Sequence, residues 1–138
     1  MCNLIQEEVF SASLPTQRIA SLLDSGSLTG AAQHGTLHVG SGVIEGRQAT
    51  VIATDRQAAG GSLGVTEAQA LSAVLEESHA AGRVAILCLD SAGARLDEGL
   101  AALGAFRQLY RHLLDLRLAG FPMLALIGRN CFGGASML

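Results

Sequence analysis

Tryptophan is absent from this chain of 138 residues, and one tyrosine and four phenylalanines supply its only benzene rings. A core of any size must be built from Leu, Ala, Val and Ile rather than from aromatic anchors. Charge is scarce as well: 15% of residues are charged against 49% hydrophobic, a balance that suggests layers buried on both faces. The net charge of −3 comes without any Lys/Arg cluster, which argues against nucleic acid as a partner. No apolar run reaches membrane-spanning length, and Glu7 and Glu8 stand where a secretory leader needs positive charge and an apolar stretch. A cytoplasmic location is expected. Cysteines are few and scattered: Cys2, Cys88 and Cys131 form no C-x-x-C pair and read as reduced thiols, not a disulfide frame. Cys88 lies in an apolar run and reads as a small core residue. Cys131 stays open between packing and nucleophile, although no His follows it.

At this length the chain is one domain or part of one, with residues 1–14 expected as a flexible lead-in. Pro15 to Leu23 reads as a short helix with Ile19, Leu22 and Leu23 on one face, closed by Gly26. A polar, Gly-containing stretch follows. The runs 37–44 and 48–53, separated by Glu45-Gly46-Arg47, carry a hairpin signal. Gly60 to Gly64 reads as a loop, and Thr66 as the N-cap of a helix carrying Leu71, Val74, Leu75 and Ser78 to a stop at Gly82. The continuously apolar run 84–89 suits a buried parallel strand. Asp97 to Leu118 predicts a helix with Leu100, Leu103, Phe106, Tyr110, Leu113 and Leu114 toward the core, ended by Gly120 and Pro122. A strand over 122–128 and a new helix near Gly134 complete a layered α/β pattern of ββα type, and right-handed crossovers would place the loops after both strands at one end.

Those loops carry the chemistry. Strand 84–89 stops at Asp90-Ser91-Ala92-Gly93-Ala94-Arg95, and strand 122–128 leads into Cys131-Phe132-Gly133-Gly134-Ala135-Ser136. A strand that breaks at glycine and restarts as a helix presents free backbone N–H groups, the donors that a reaction passing through an anion needs. Ala92, Gly93, Gly133 and Gly134 are the candidate oxyanion donors. Glycine pairs also serve close helix–strand packing, and Gly60 to Gly64 could be a plain turn. Arg95 and Glu98 read first as a local ion pair holding the loop. His34 and His38 have an i, i+4 spacing but flank Gly35 at a strand start, so no metal site is expected. His79 and His112 read as solvated, and Asp97-Glu98 as helix-start acids.

The run Gly60-Gly61-Ser62-Leu63-Gly64, then Asp90-Ser91-x-Gly93-Ala94-Arg95-x-x-Glu98-Gly99, then Phe132-Gly133-Gly134-Ala135, resembles the carboxyltransferase subunits of the crotonase superfamily. Acyl-CoA carboxylase β chains and the malonate decarboxylase β subunit belong there. The leader from Pro15 to Ser27 is similar to their usual entry, and Cys131-Phe132-Gly133-Gly134 is more like malonate decarboxylase. Ala92, where the family usually has Gly, and Asp97, where it often has Gln, depart from the pattern.

The resemblance implies a crotonase-like ββα layered (spiral) fold, incomplete at the carboxyl end, with 15–138 as the amino-terminal portion of a carboxyltransferase-like domain. It implies decarboxylation or carboxyl transfer on a malonyl-type thioester of CoA or acyl-carrier protein. Gly60, Gly61, Ser62, Leu63, Gly64 and Arg95 would line the thioester arm. No covalently bound cofactor is implied; biotin would sit on a partner. A second carboxyltransferase subunit or a further carboxyl-terminal domain would complete the site, in an oligomer, with Leu124, Leu126, Met137 and Leu138 left bare for it. A ClpP-like serine protease, using Ser136 in Ala135-Ser136-Met137, and a non-catalytic assembly module are the alternatives.

Overall fold

A computed structural model describes residues 14–133. Helix α1 (Pro15–Leu22) precedes strands β1 (Thr29–His34), β2 (Leu37–Ile44) and β3 (Arg47–Thr54). Helix α2 (Val65–Ala80), β4 (Val84–Ser91), α3 (Gly99–Leu118) and β5 (Met123–Cys131) follow. The five strands form one sheet in the order β1-β2-β3-β4-β5. The pairs β1–β2 and β2–β3 are antiparallel, whereas β3–β4 and β4–β5 are parallel. The hairpin β2–β3 turns through Glu45 at φ +48° and Gly46 at φ +80°, the left-handed pair a tight two-residue turn requires.

Strand alternation splits the core in two. Ile52, Leu87 and Leu89 face α2 and α3, packing with Leu71, Leu75, Phe106 and Leu109. Val51, Ala53 and Cys88 face α1, packing with Ile19 and Leu23. Burial on both faces is what a mostly apolar parallel strand dictates. Burial also pushes the Cys88 thiol up to about 11, against a weaker opposing pull from Arg18, so it behaves as a core residue. No helix among the described residues is long and apolar enough to cross a membrane.

Several sequence expectations need correction. The polar stretch before residue 37 contains β1, an edge strand whose Thr-Gly-Ala-Ala-Gln-His has no apolar alternation and is held by its ladder to β2. Helix α2 starts at Val65 with Gly64 as N-cap, not Thr66, because the Glu67 carboxylate takes the Gly64 N–H at 2.9 Å. The stretch Leu96–Glu98 is a 3-10 turn, and α3 begins only at Gly99. Its buried stripe is Ala102, Phe106, Leu109 and Leu116, with Tyr110 and Leu113 partly covered. Leu100, Leu103 and Leu114 form a second apolar stripe that stays exposed, since the sheet can take only one side of the helix. Strands β4 and β5 run on to Ser91 and Cys131. Leu124 is exposed as expected, but Leu126 packs toward α1. His112 is not solvated: its Nδ1 lies 2.6 Å from Ser72 Oγ, joining α2 to α3. His79 is exposed as expected, with its ring edge to face with Phe121. The lead-in, the helix near Gly134, Ser136, Met137 and Leu138 lie outside the described residues.

Candidate functional site

Because β3, β4 and β5 are parallel, the segments that follow them gather at one end of the sheet. Polar residues finish β4 there. Asp90 and Ser91 are fully buried, and Thr54 Oγ1 accepts from Asp90 N–H at 2.8 Å while donating to the Asp90 carbonyl at 2.9 Å. Beyond Ser91 the chain is stitched to the segment after β3. Ala92 N–H donates to Gly60 O at 3.0 Å, Leu63 N–H to Gly93 O at 2.9 Å, and Arg95 N–H to Leu63 O at 2.7 Å. Leu63 and Ala94 thus pair as a short parallel bridge.

Two glycines are demanded by this packing. Gly61 has φ +69°, and a Cβ there would run into the Asp90 carbonyl. Gly93 has φ +100°, and its Cβ would lie 2.6 Å from the Phe132 carbonyl. The loops after β4 and β5 therefore touch backbone to backbone, Gly93 against Phe132 and Gly133, with Phe132 N–H donating to Ser91 O at 3.1 Å.

The sequence-derived site residues separate accordingly. Gly93 and Gly133 are brought together; Gly134 is outside the described residues. The Ala92 amide is engaged by Gly60 O, which removes it as a free donor. The Gly93 amide is turned onto a side chain, donating to Ser91 Oγ at 3.0 Å. In the Gly60 to Gly64 segment, Leu63 is a core residue, Gly61 and Gly64 are buried, and only Gly60 and Ser62 keep access to the surface. Arg95 does not point free for a ligand. Its Nη2 lies 2.7 Å from Glu67 Oε1 and 3.1 Å from Ser62 O, and its Nη1 lies 3.0 Å from Glu98 Oε1. The ion pair with Glu98 is the one the sequence suggested.

Glu67 was missed. Burial alone would raise its carboxyl, but the bonds from Arg95, Thr36 and Gly64 outweigh that and hold it below the usual range. Glu67, third residue after Gly64 at a helix start, is the position of the acceptor in a capping box, and that spacing could have found it. On the α1 side, buried Asp90 accepts from Asn130 N–H at 3.2 Å and has Arg56 Nη1 at 4.0 Å. Arg18, also buried, donates to the Thr54 carbonyl beneath it. His38 Nε2 lies 3.6 Å from Asp55 Oδ2, and no group of three His, Cys, Asp or Glu among the described residues could hold a metal ion.

A family model described as carboxyl transferase domain matches residues 15–138. The chain belongs to the carboxyl transferase family. Among its relatives is the carboxyltransferase subunit of propionyl-CoA carboxylase from Haloferax mediterranei, 36% identical over 96 residues, which are 70% of this chain and 18% of that one. Another is acetyl-coenzyme A carboxylase carboxyl transferase subunit beta 1 from Roseiflexus castenholzii, 35% identical over 71% of this chain and 33% of that one. This member thus spans a third or less of the length of either relative. Of solved structures, a Pseudomonas malonate decarboxylase MdcD-MdcE hetero-dimer matches 84% of this chain and 52% of its own, with TM-score 0.72 and 29% identity. The transcarboxylase 12S structure with methylmalonyl-coenzyme A and methylmalonic acid matches 97% and 29%, with TM-score 0.80 and 25% identity. The fold of this carboxyl transferase domain is the crotonase-like α/β architecture of those proteins, over part of its extent.

Proposed function

We propose that this chain forms one wall of a site where a malonyl-type acyl thioester loses or gains CO2 at its α-carbon. In the decarboxylating direction the bond between the α-carbon and the carboxylate breaks and CO2 departs. The electron pair passes into a thioester enolate, and a proton then restores the α-carbon. Negative charge builds on the thioester oxygen, where preorganised N–H donors stabilise the transition state more than the ground state. The observation that carries this reading is the backbone contact of Gly93 with Phe132 and Gly133 at the carboxyl end of three parallel strands. It brings Gly93 and Gly133 together with no side chain on either residue. Gly93, Gly133 and Gly134 are the proposed donors, with Ser91 Oγ the acceptor that a substrate oxygen must compete with at Gly93. Gly60 and Ser62 are the proposed border of the thioester arm.

A biotin-dependent acyl-CoA carboxylase β function, with the carboxyl group carried on a partner's biotin, has equal support, because a relative is a biotin-dependent acetyl-/propionyl-coenzyme A carboxylase beta5 subunit while a structural neighbour is a malonate decarboxylase. Both versions need a partner: a second carboxyltransferase subunit or further domain for the opposite wall, and an acyl-carrier protein or biotin carrier for delivery. The bare Leu100, Leu114, Leu124 and Ile127 on α3 and β5 support that need. We place the assembly in the cytoplasm and attach no cofactor covalently to this chain. The test is incubation of the chain, alone and with its partner subunit, with malonyl-CoA and with a malonyl carrier protein. Acetyl thioester formed without biotin favours the decarboxylase; carboxyl exchange that requires free biotin or biocytin favours the carboxylase. Neither product in any combination rejects both.

A further inference from the structure

We propose that Glu67 and Arg95 are positioning residues for the Gly93 amide, acting through a buried ion cluster that locks the loop after β4 onto the segment after β3. This deepens the function proposed above and rests on it for its catalytic consequence. Glu67 belongs to α2 and is almost wholly covered. Its Oε1 meets Arg95 Nη2 at 2.7 Å and accepts from Thr36 N–H at 3.0 Å, while Oε2 accepts from Gly64 N–H at 2.9 Å. One carboxylate thereby joins the β1–β2 turn, the start of α2 and the loop after β4. Space for it is kept by Gly35, at φ +58°, where any Cβ would collide with the Glu67 carboxylate.

A buried carboxylate is tolerable only when paired and fully hydrogen-bonded, so this cluster is stable in one geometry and costly in others. That is what a locating device requires. Arg95 stands directly after the Leu63–Ala94 bridge, whose hydrogen bonds fix the Gly93 carbonyl and the Arg95 amide. Releasing the guanidinium would free the peptide planes on either side of Gly93, and with them the direction of its N–H. Both terminal nitrogens of Arg95 are taken by Glu67, Glu98 and Ser62, so the residue acts on the reaction through the loop rather than by touching substrate.

The test compares the parent chain with Arg95→Met, Arg95→Lys and Glu67→Gln by amide hydrogen exchange and by steady-state kinetics with malonyl-CoA. Expected for Arg95→Met is about tenfold faster exchange in the peptide spanning residues 90–96, with β3 and the body of β4 still protected. Turnover should fall about tenfold or more with KM within about threefold, since only the donor geometry is lost. Glu67→Gln should show the same pattern more weakly, and Arg95→Lys should recover part of both losses. Unchanged loop exchange in Arg95→Met and Glu67→Gln alike overturns the proposal. So does a rise in KM with turnover intact, which would make Arg95 a substrate ligand. If the parent chain and its partner show no turnover, the function proposed above fails, and loop exchange alone decides whether the cluster positions Gly93.

Discussion

The loops after β4 and β5 lie against each other but are held by different means. The first is tied along its length: the Ala92 N–H, Gly93 carbonyl and Arg95 N–H all bond to residues 60–63, and the Arg95 side chain closes on Glu67 and Glu98. The second rests on the end of β4, through Phe132 N–H to Ser91 O and Asn130 N–H to Asp90 Oδ1. Its strand is an edge of the sheet, and its register with β4 shifts between Leu89 and Ser91. One loop is thus a frame and the other leans on it. A change in the frame should disturb both, while a change in the leaning loop should stay local.

The largest break is expected at the point of contact. Gly93→Val places a branched side chain at φ +100° and drives it into the Phe132 carbonyl. Turnover of malonyl thioester by the assembled enzyme should drop about 10²- to 10³-fold, the range for losing one oxyanion donor. Melting temperature should fall as well, because both loops must move. Turnover within a factor of about two of the parent would remove Gly93 from the site.

Thiol chemistry probes the same contrast one layer down. Cys88, buried inside β4, has its thiol pushed up to about 11, whereas Cys131 ends β5 and is half-exposed. With iodoacetamide at pH 8, Cys131 should label at least about 100-fold faster than Cys88, because the thiolate is the nucleophile and the core excludes the reagent. Mass spectrometry of the peptides reads the ratio. Equal rates would mean that β4 opens as readily as the edge strand.

How legible this arrangement was depended on which physical signal carried it. The crossover units β3–α2–β4 and β4–α3–β5 show in the sequence because apolar runs, helical spacing and glycine stops agree there. The two glycine loops were legible for the same reason, and the parallel pairing delivers them to one end. Strand β1 was not legible, because its pairing energy lies in the backbone ladder and its side chains carry no alternation. On α3 the apolar residues form two stripes, and only tertiary packing decides that Ala102 and Leu109 are inside and Leu100 outside. The Ala92 amide looked free because its acceptor, Gly60 O, is 32 residues earlier in the chain. A separation of 28 residues likewise hid Glu67 behind Arg95.

A smaller effect comes from pH. Glu67 is held below its ordinary value of 4.5 by Arg95, Thr36 and Gly64, despite the opposing effect of burial. The charged groups facing it are Arg95 and, through Arg95, Glu98. A carboxyl lowered in the folded state contributes stability that is full above its unfolded value and lost as pH falls through the folded one. Loop protection at residues 90–96 should hold from neutral pH down to the ordinary carboxyl value of 4.5 and be lost only below it, as pH falls through the lowered folded-state value. Glu67→Gln should flatten that decline. An equal pH dependence in both proteins would show that another group controls the loop.

Ala92→Gly should have the smallest effect. The Ala92 side chain is exposed, and its contribution to the loop is through its N–H, which a glycine supplies equally well to Gly60 O. The substitution leaves every described bond of the frame in place and adds freedom mainly to the unfolded chain. Stability should fall by about 0.4–1 kcal/mol, the usual cost of exchanging alanine for glycine where the fold accepts both. Turnover should stay within about twofold, since donor geometry is unchanged. Thermal unfolding followed by circular dichroism and malonyl-thioester turnover measured on one preparation check both halves. A loss beyond about tenfold in turnover would mean that the Ala92 methyl itself braces the frame, through its neighbour Gly60. The difference between the tied loop and the leaning one would then rest on side-chain packing as well as on the backbone ladder.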